Sequence, residues 1–122
     1  MRVAVIGASD NRSKFGNKAV RSYQANGHDV VPVHPSLKDI EGLTAYSSIR
    51  DVPPPVDRVL LYVPPAVGIT LLDDIAAVGV GEIFVNPGAG SPELFARGKE
   101  LRLNLIDDCA IVAIGDNPGK YR

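Results

Sequence analysis

Cysteine is nearly absent from this sequence of 122 residues, since Cys109 is its only example. A single thiol excludes an internal disulfide, and this usage is typical of a reducing compartment. No apolar run approaches the roughly 20 residues that span a bilayer. Met1 leads directly into an apolar strand pattern, which leaves no room for a signal peptide. We therefore expect a cytoplasmic protein with no membrane partner.

An excess of charge of either sign is also missing. The 13 Lys and Arg residues nearly balance the 14 Asp and Glu residues, and the net charge is -1. No overall electrostatic field therefore draws the chain toward nucleic acid or a membrane surface. We expect no nucleic acid as a partner, and any anionic ligand must meet a local cluster of cations.

The residue sets that carry catalysis are absent as well. The sequence offers no Ser-His-Asp arrangement and no cluster of His and Cys with metal-ligand spacing. Asp107 and Asp108 are adjacent, but successive side chains of an extended segment point to opposite faces. We therefore expect a binding protein that holds no metal and is not an enzyme.

The stretch from Val3 to Gly16 is the most informative part of the chain. An apolar run of strand length ends at Gly7, small, polar and basic residues follow, and helical spacing begins after Gly16. A strand, a small-residue loop and a helix form the opening unit of a nucleotide-binding α/β fold. In that unit the helix N-terminus offers free N–H groups to a phosphate.

Two common phosphate-binding signatures do not occur in this loop. The dinucleotide fingerprint G-x-G-x-x-G would need a glycine where Ser9 stands, and the Gly-Lys-Ser/Thr ending of a P-loop is missing. The second strand is followed by His34 and Pro35, where NAD-binding folds usually carry an acid for the ribose. NAD is therefore the weaker hypothesis.

Three cations lie near the expected phosphate position, namely Arg12, Lys14 and Lys38. They can bind an anion, or they can be ordinary solvated charges of surface loops. His34 has the same two interpretations, because a loop histidine often satisfies neighbouring backbone groups.

Strand and helix patterns alternate along the rest of the chain. Strands are predicted at 30–33, 57–63, 82–85 and 104–106, and helices at 16–26, 66–78 and 91–101. The apolar stripe of the second helix is formed by Val67, Leu71, Leu72, Ile75 and Val78. Ser91 is the expected N-cap of the third helix, and Gly98 inside that helix indicates close packing. Pro32 lacks an N–H and must lie at a sheet edge or irregular point. Residues 37–55 read as an irregular connection with one short helical turn, capped by Ser47 or Ser48. The prediction is one α/β domain over 1–122, with a Rossmann-like, doubly wound, mostly parallel five-stranded sheet and helices on both faces.

The order and spacing of several short motifs resemble a known family. These motifs are VIGAS at 5–9, PVHP at 32–35, YVPP at 62–65, NPG at 86–88 and DDC at 107–109. They resemble the CoA-binding domain of the succinyl-CoA synthetase α-subunit and the small stand-alone CoA-binding proteins. The resemblance covers nearly the whole chain.

This resemblance implies CoA or an acyl-CoA as the ligand, held without catalysis at the carboxyl ends of the strands. It places Ala8 and Ser9 by the ADP part, residues 13–16 near the phosphates, and His34 by the adenosine. The full set of expected ligand contacts is Gly7, Ala8, Ser9, Arg12, Ser13, Lys14, Phe15, Gly16, His34, Pro35, Lys38, Val63, Pro64, Asn86, Pro87, Gly88 and Cys109.

Three points stay open in the sequence. An NAD(P)-binding oxidoreductase-type domain and a ligand-free interaction module are the alternative functions. Cys109 is either a small buried hydrophobic residue or a thiol that meets the thiol of CoA and forms a mixed disulfide under oxidation. The oligomeric state is undetermined, with a homodimer as one possibility.

Overall fold

The computed structural model describes residues 1–122 and is organised around a five-stranded sheet. The strands of the chain are β1 (Arg2–Ile6), β2 (Asp29–Val33), β3 (Asp39–Ile40), β4 (Leu43–Thr44), β5 (Val56–Leu61), β6 (Val80–Val85) and β7 (Leu105–Asp107). The main sheet has the order β2-β1-β5-β6-β7, and all of its pairs are parallel. The predicted α/β fold is therefore confirmed.

Helices cover both faces of this sheet, as a doubly wound fold requires. They are α1 (Phe15–Ala25), α2 (Pro65–Val78), α3 (Pro92–Glu100) and α4 (Ala110–Ala113), with single 3₁₀ turns at Ile49–Asp51 and Pro118–Lys120. The α1 and α4 helices share one core with the sheet, and α2 and α3 share the other. No helix has the length and apolar character that crossing a membrane demands.

The interior strand β1 shows why Val3–Ile6 form an unbroken apolar run. Val3 and Val5 face the core under α1, whereas Ala4 and Ile6 face the core under α2. Alternate side chains of a strand point to opposite faces, and both faces of a parallel sheet are covered by helices. Burial on both sides thus excludes polar residues from the four positions of β1 that follow Arg2.

Two local features of α3 agree with the sequence. The Ser91 hydroxyl accepts a hydrogen bond from the N–H of Leu94 at 3.1 Å, which caps the helix as predicted. A side chain at Gly98 would overlap Leu105 of β7, so the glycine marks a close helix–sheet contact.

Pro32 lies in β2, which is an edge strand of the sheet as predicted.

Two sequence predictions were wrong. The segment 37–55 contains an antiparallel hairpin of β3 and β4, where an irregular connection was expected. Val67 of α2 was placed on the buried stripe, but 46% of it is exposed. It lies in the first turn of α2, at the carboxyl edge of the sheet, where a cavity replaces packed core.

The 3₁₀ turn at Ile49–Asp51, which follows the hairpin, is capped by Ser48, whose hydroxyl accepts from the N–H of Arg50.

The strand order fixes the position of the site. The chain leaves β1 toward β2 on one side, then crosses back over β1 to form β5 on the other side. A crevice opens at such a switch point, outside the carboxyl ends of the two strands. In this protein the crevice lies between the end of β1 and the end of β5.

Candidate functional site

The floor of the crevice is backbone held in close contact. Gly7 follows β1 with φ +90°, and a Cβ there would lie 2.6 Å from the carbonyl oxygen of Tyr62 after β5. A Cβ at Gly16, in the first turn of α1, would overlap the carbonyl oxygen of Gly7. Only glycine fits either position, so loop and helix approach each other along bare backbone.

A groove of about 630 Å³ opens above this floor. We call it the main groove, and it is lined by Gly7, Ala8, Ser9, Lys14, Phe15, Gly16, His34, Pro35, Tyr62, Val63, Pro64, Pro87, Gly88 and Ala89. Its volume falls in the range of small-molecule and cofactor sites. The lining comes from the carboxyl ends of β1, β2, β5 and β6, as predicted for this fold.

The helix α1 points its N-terminus at the main groove. Lys14 occupies the N-cap position and its side chain makes no capping hydrogen bond. The N–H groups of Phe15 and Gly16, and those of Ala8 and Ser9 in the preceding loop, donate to no protein atom. Free N–H donors at the positive end of a helix dipole form an anion-binding surface.

The loop before α1 keeps its shape through internal hydrogen bonds. The Asn11 side-chain oxygen accepts from the N–H and the hydroxyl of Ser13, at 3.0 and 2.7 Å. The carbonyl oxygen of Asn11 accepts from the N–H of Lys14. Ser13, which the resemblance places near the phosphates, is therefore bonded within the loop and does not line the main groove.

The three candidate cations have different surroundings. Arg12 forms an ion pair with Glu41 at 2.8 Å and lines none of the cavities. Lys14 lines the main groove and pairs with no carboxylate. Lys38 is exposed and unpaired outside the groove. Lys14 is thus the cation best placed for an anion in the main groove.

His34 satisfies neighbouring backbone groups and also lies in the lining of the main groove. Its Nδ1 accepts from the N–H groups of Ser36 and Leu37, at 3.1 and 3.0 Å, and so supports the loop after β2. In the neutral ring this acceptor role assigns the proton to Nε2. His34 also lines the main groove, so Nε2 is a donor available to a ligand.

Asn86 is a structural residue at the end of β6. It is 2% exposed, and its Nδ2 donates to the carbonyl of Leu61 at 3.1 Å. Its Oδ1 accepts from the N–H of Ala110 at 2.8 Å. The side chain that the resemblance places on the ligand path is therefore fully engaged within the protein.

A cavity of about 130 Å³ adjoins the main groove and shares three of its lining residues. We call it the small cavity, and it is lined by Phe15, Tyr62, Asn86, Pro87 and Cys109. The hydroxyl of Tyr62 is buried without a hydrogen-bond partner. Burial, with contributions from Cys109 and Tyr23, raises the pKa of Tyr62 far above its ordinary value. The neutral phenol is thus the form in the folded chain.

A third cavity lies on the other side of the main groove. Its volume is about 190 Å³, and apolar side chains such as Val33, Ile49 and Leu71 dominate its wall, with His34 and Pro35 at the junction with the groove. Ser47 and Ser48, which follow the hairpin, also line it. The three spaces together form a continuous surface along the carboxyl edge of the sheet.

The structure brings most of the predicted site residues to this edge. Asn86 and Cys109 line the small cavity, whereas Arg12, Ser13 and Lys38 line no cavity of the edge. Tyr62 and Ala89 line the groove but were not predicted. Tyr62 belongs to the YVPP motif, and its position directly after β5 is the signal that could have identified it.

The parallel sheet and its two helix layers define an α/β domain of the Rossmann-like class. The pattern of the CoA binding domain family matches residues 1–115. The chain belongs to this family, as the sequence motifs predicted.

Several curated relatives are ligases that contain a similar segment. The chain is 31% identical over 109 residues to the acetate–CoA ligase [ADP-forming] II subunit alpha of Pyrococcus furiosus, covering 86% of this chain and 23% of that one. It is 29% identical over 103 residues to the acetate–CoA ligase [ADP-forming] of Methanocaldococcus jannaschii, covering 81% of this chain and 15% of the ligase. The chain therefore spans less than a quarter of these relatives.

Solved structures include chains of similar size. A conserved hypothetical protein from Pyrococcus furiosus has a TM-score of 0.84 and 30% identity, with 92% of this chain and 97% of that chain covered. A dinucleotide-forming acetyl-coenzyme A synthetase from Ca. Korarchaeum cryptofilum has a TM-score of 0.76 and 27% identity, with 88% of this chain and 25% of that chain covered. The same domain thus occurs in short chains and within large ligases.

Proposed function

We propose that this chain binds CoA or an acyl-CoA in the main groove and catalyses no reaction on it. The observation that carries the proposal is the set of unpartnered N–H groups of four residues that line the main groove, Ala8, Ser9, Phe15 and Gly16. The pyrophosphate of CoA is the group that such donors fit. Membership of the CoA binding domain family supports CoA over other nucleotides.

The remaining parts of CoA have matching surfaces on either side of the anion position. The apolar cavity beside His34 suits the flat adenine ring, and the small cavity lies in the opposite direction, where the pantetheine arm would extend. Lys14 adds a mobile cation at the groove. The carboxyl edge carries no nucleophile–base pair and no group of side chains able to hold a metal, which supports binding without chemistry.

Thermal unfolding in the presence of different ligands tests this proposal. A ligand that binds only the native state raises the melting temperature, and stabilisation is about 2.7 kcal/mol at a concentration a hundredfold above Kd. We expect CoA and acetyl-CoA to raise the melting temperature, and pantetheine, which lacks the phosphates, to leave it unchanged.

Other outcomes would favour other functions. A shift with NADH and none with millimolar CoA would indicate an oxidoreductase-type domain, and no shift with any nucleotide would indicate an interaction module. Release of free CoA from acetyl-CoA over hours, above the rate in buffer, would contradict the absence of catalysis.

A further inference from the structure

The hairpin of β3 and β4 brings one carboxylate to the loop before α1. Glu41 and Gly42 form its two-residue turn with φ of 51° and 76°, both in the left-handed region that a type I′ turn needs. A residue with a side chain is uncommon at such a φ. Here that residue is Glu41, and its side chain, which ends in the carboxylate, is only 17% exposed.

Glu41 holds the loop and α1 at the same time. One carboxylate oxygen accepts from Nη2 of Arg12 at 2.8 Å. The other accepts from Nε of Arg12 at 3.2 Å and from Nδ2 of Asn17 at 3.1 Å. The hydrogen bonds from Arg12 and then Asn17 lower the pKa of Glu41 to about 2, so the carboxylate is ionised at neutral pH.

These contacts close into a ring. Asn17 is fully buried, and its Oδ1 accepts from Nε of Arg21 at 2.7 Å. Arg21 in turn donates from Nη2 to the carbonyl oxygen of Arg12 at 2.9 Å. We call these four residues, Glu41, Arg12, Asn17 and Arg21, the Glu41 ring.

The ring fixes the backbone of the loop at two points. Arg21 holds the carbonyl of Arg12, and Asn17 holds the carbonyl of Ser9 at 2.9 Å. The free N–H groups of Ala8 and Ser9 lie at the start of this loop, and those of Phe15 and Gly16 lie at its end. A preorganised set of donors loses less entropy when a ligand binds.

We propose that Glu41 is a positioning residue for the anion site, which it serves by holding the loop through Arg12 and Asn17 and without touching the ligand. This proposal rests on the proposed function for its ligand. It also explains why the exposed Arg12 lies outside the main groove, since its guanidinium is engaged by Glu41.

Electrostatics alone predicts the opposite effect of Glu41. A carboxylate beside an anion site repels the anion, so its neutralisation should tighten binding. If Arg12 is itself the phosphate ligand, its release from Glu41 should tighten binding further. The sign of the change in affinity therefore separates positioning from direct charge effects.

The decisive variant is Glu41→Gln, which keeps the side-chain size and replaces one acceptor oxygen with a donor. We expect calorimetry to show CoA binding weakened 5- to 20-fold, although a negative charge has been removed. Glu100→Gln is the matched control, because it removes one carboxylate from an ion pair on α3, and it should bind like the wild type. Unchanged or tighter CoA binding in Glu41→Gln would overturn the proposal.

The variant Arg12→Ala breaks the Glu41 ring at a different residue, so it tests the ring without introducing a glutamine side chain. If both residues act through one ring, Glu41→Gln should add little to the loss already caused by Arg12→Ala. Independent, additive losses in the double variant would mean that the two residues do not act together.

Hydrogen exchange without ligand separates this proposal from the proposed function. The N–H groups of Asn11, Ser13 and Lys14 are hydrogen-bonded within the loop. We expect their exchange to accelerate in Glu41→Gln relative to Glu100→Gln, and by a larger factor than the exchange of the N–H groups of β5, which reports any general loss of stability. Equal exchange rates would refute the proposal that the Glu41 ring holds the loop in place. A wild-type protein that binds no CoA would refute only the proposed function.

Discussion

The Oδ1 atom of Asn86 accepts a hydrogen bond from the N–H of Ala110 at 2.8 Å, which joins the end of β6 to the first residue of α4. The Nδ2 atom of the same side chain donates to the carbonyl of Leu61 at the end of β5. One buried amide thus fixes three elements that border the small cavity. Its position at a strand end suggests ligand binding, but its contacts are structural.

We predict that Asn86→Leu lowers the free energy of unfolding by about 1–3 kcal/mol, because the buried N–H of Ala110 would lose its partner and the carbonyl of Leu61 would lose one of two donors. Urea unfolding followed by circular dichroism measures the change. Asn104→Leu, at an exposed position, is the control and should have little effect. A loss for Asn86→Leu no larger than for this control would contradict the structural role.

Tyr62 and Tyr23 form a matched pair for a second prediction. The Tyr62 hydroxyl has no partner, whereas the Tyr23 hydroxyl donates to the carbonyl of Ala110 at 2.7 Å. We expect Tyr62→Phe to keep or raise stability by up to about 1 kcal/mol, and Tyr23→Phe to lower it by about 1–2 kcal/mol. Thermal unfolding of both variants without ligand measures the difference, and equal losses would contradict it.

Lys14 is the cation expected to meet a phosphate. We predict that Lys14→Ala weakens CoA binding by about 1–3 kcal/mol, the range for a hydrogen bond to a charged group. Lys99→Ala, on α3 and away from the groove, controls for the loss of one positive charge. Calorimetric affinities that are equal for Lys14→Ala and Lys99→Ala would remove Lys14 from the site.

The Glu41 carboxylate also makes stability depend on acid. Arg12 and Asn17 hold its pKa at about 2 in the folded chain, below the ordinary value of 4.5, and Arg21 adds a further positive charge nearby. The folded state therefore binds fewer protons than the unfolded state between these values, so this part of the stability is present above pH 4.5 and is lost as pH falls toward 2. Urea midpoints measured across this range should fall less steeply for Glu41→Gln than for the wild type. If the midpoints of the two proteins fell in parallel, Glu41 would contribute nothing to the pH dependence of stability.

The sheet was predictable because its strands are buried on both faces. Runs such as Val3–Ile6 and Val59–Leu61 have no polar alternation, and only a parallel sheet between two helix layers requires such runs. The start of α3 at Ser91 and Pro92 could be predicted equally well, because helix capping depends on only a few neighbouring residues.

The hairpin could not be predicted in the same way. Its strands have two residues each, which is too short for a period, and its turn places Glu41 where glycine or asparagine is the usual signal. The Glu41 ring joins positions 12, 17, 21 and 41, and no spacing rule connects the loop with the hairpin. The role of Asn86 was hidden for a related reason, since its partners lie 25 and 24 residues away.

Most residues that line the groove lie outside the core, because the core residues of β1 end at Ile6 and the groove begins at Gly7, and only Ala8 and Ala89 belong to both. The same division holds at the ends of β2 and β5. Apart from the glycine floor, residues such as Pro35, Pro64 and Pro87 are exposed and support no core. Substitution at these positions can therefore change the shape of the groove at little cost to folding. The domain is in this respect an adaptable scaffold, and a designer who seeks a new ligand has the same positions to vary.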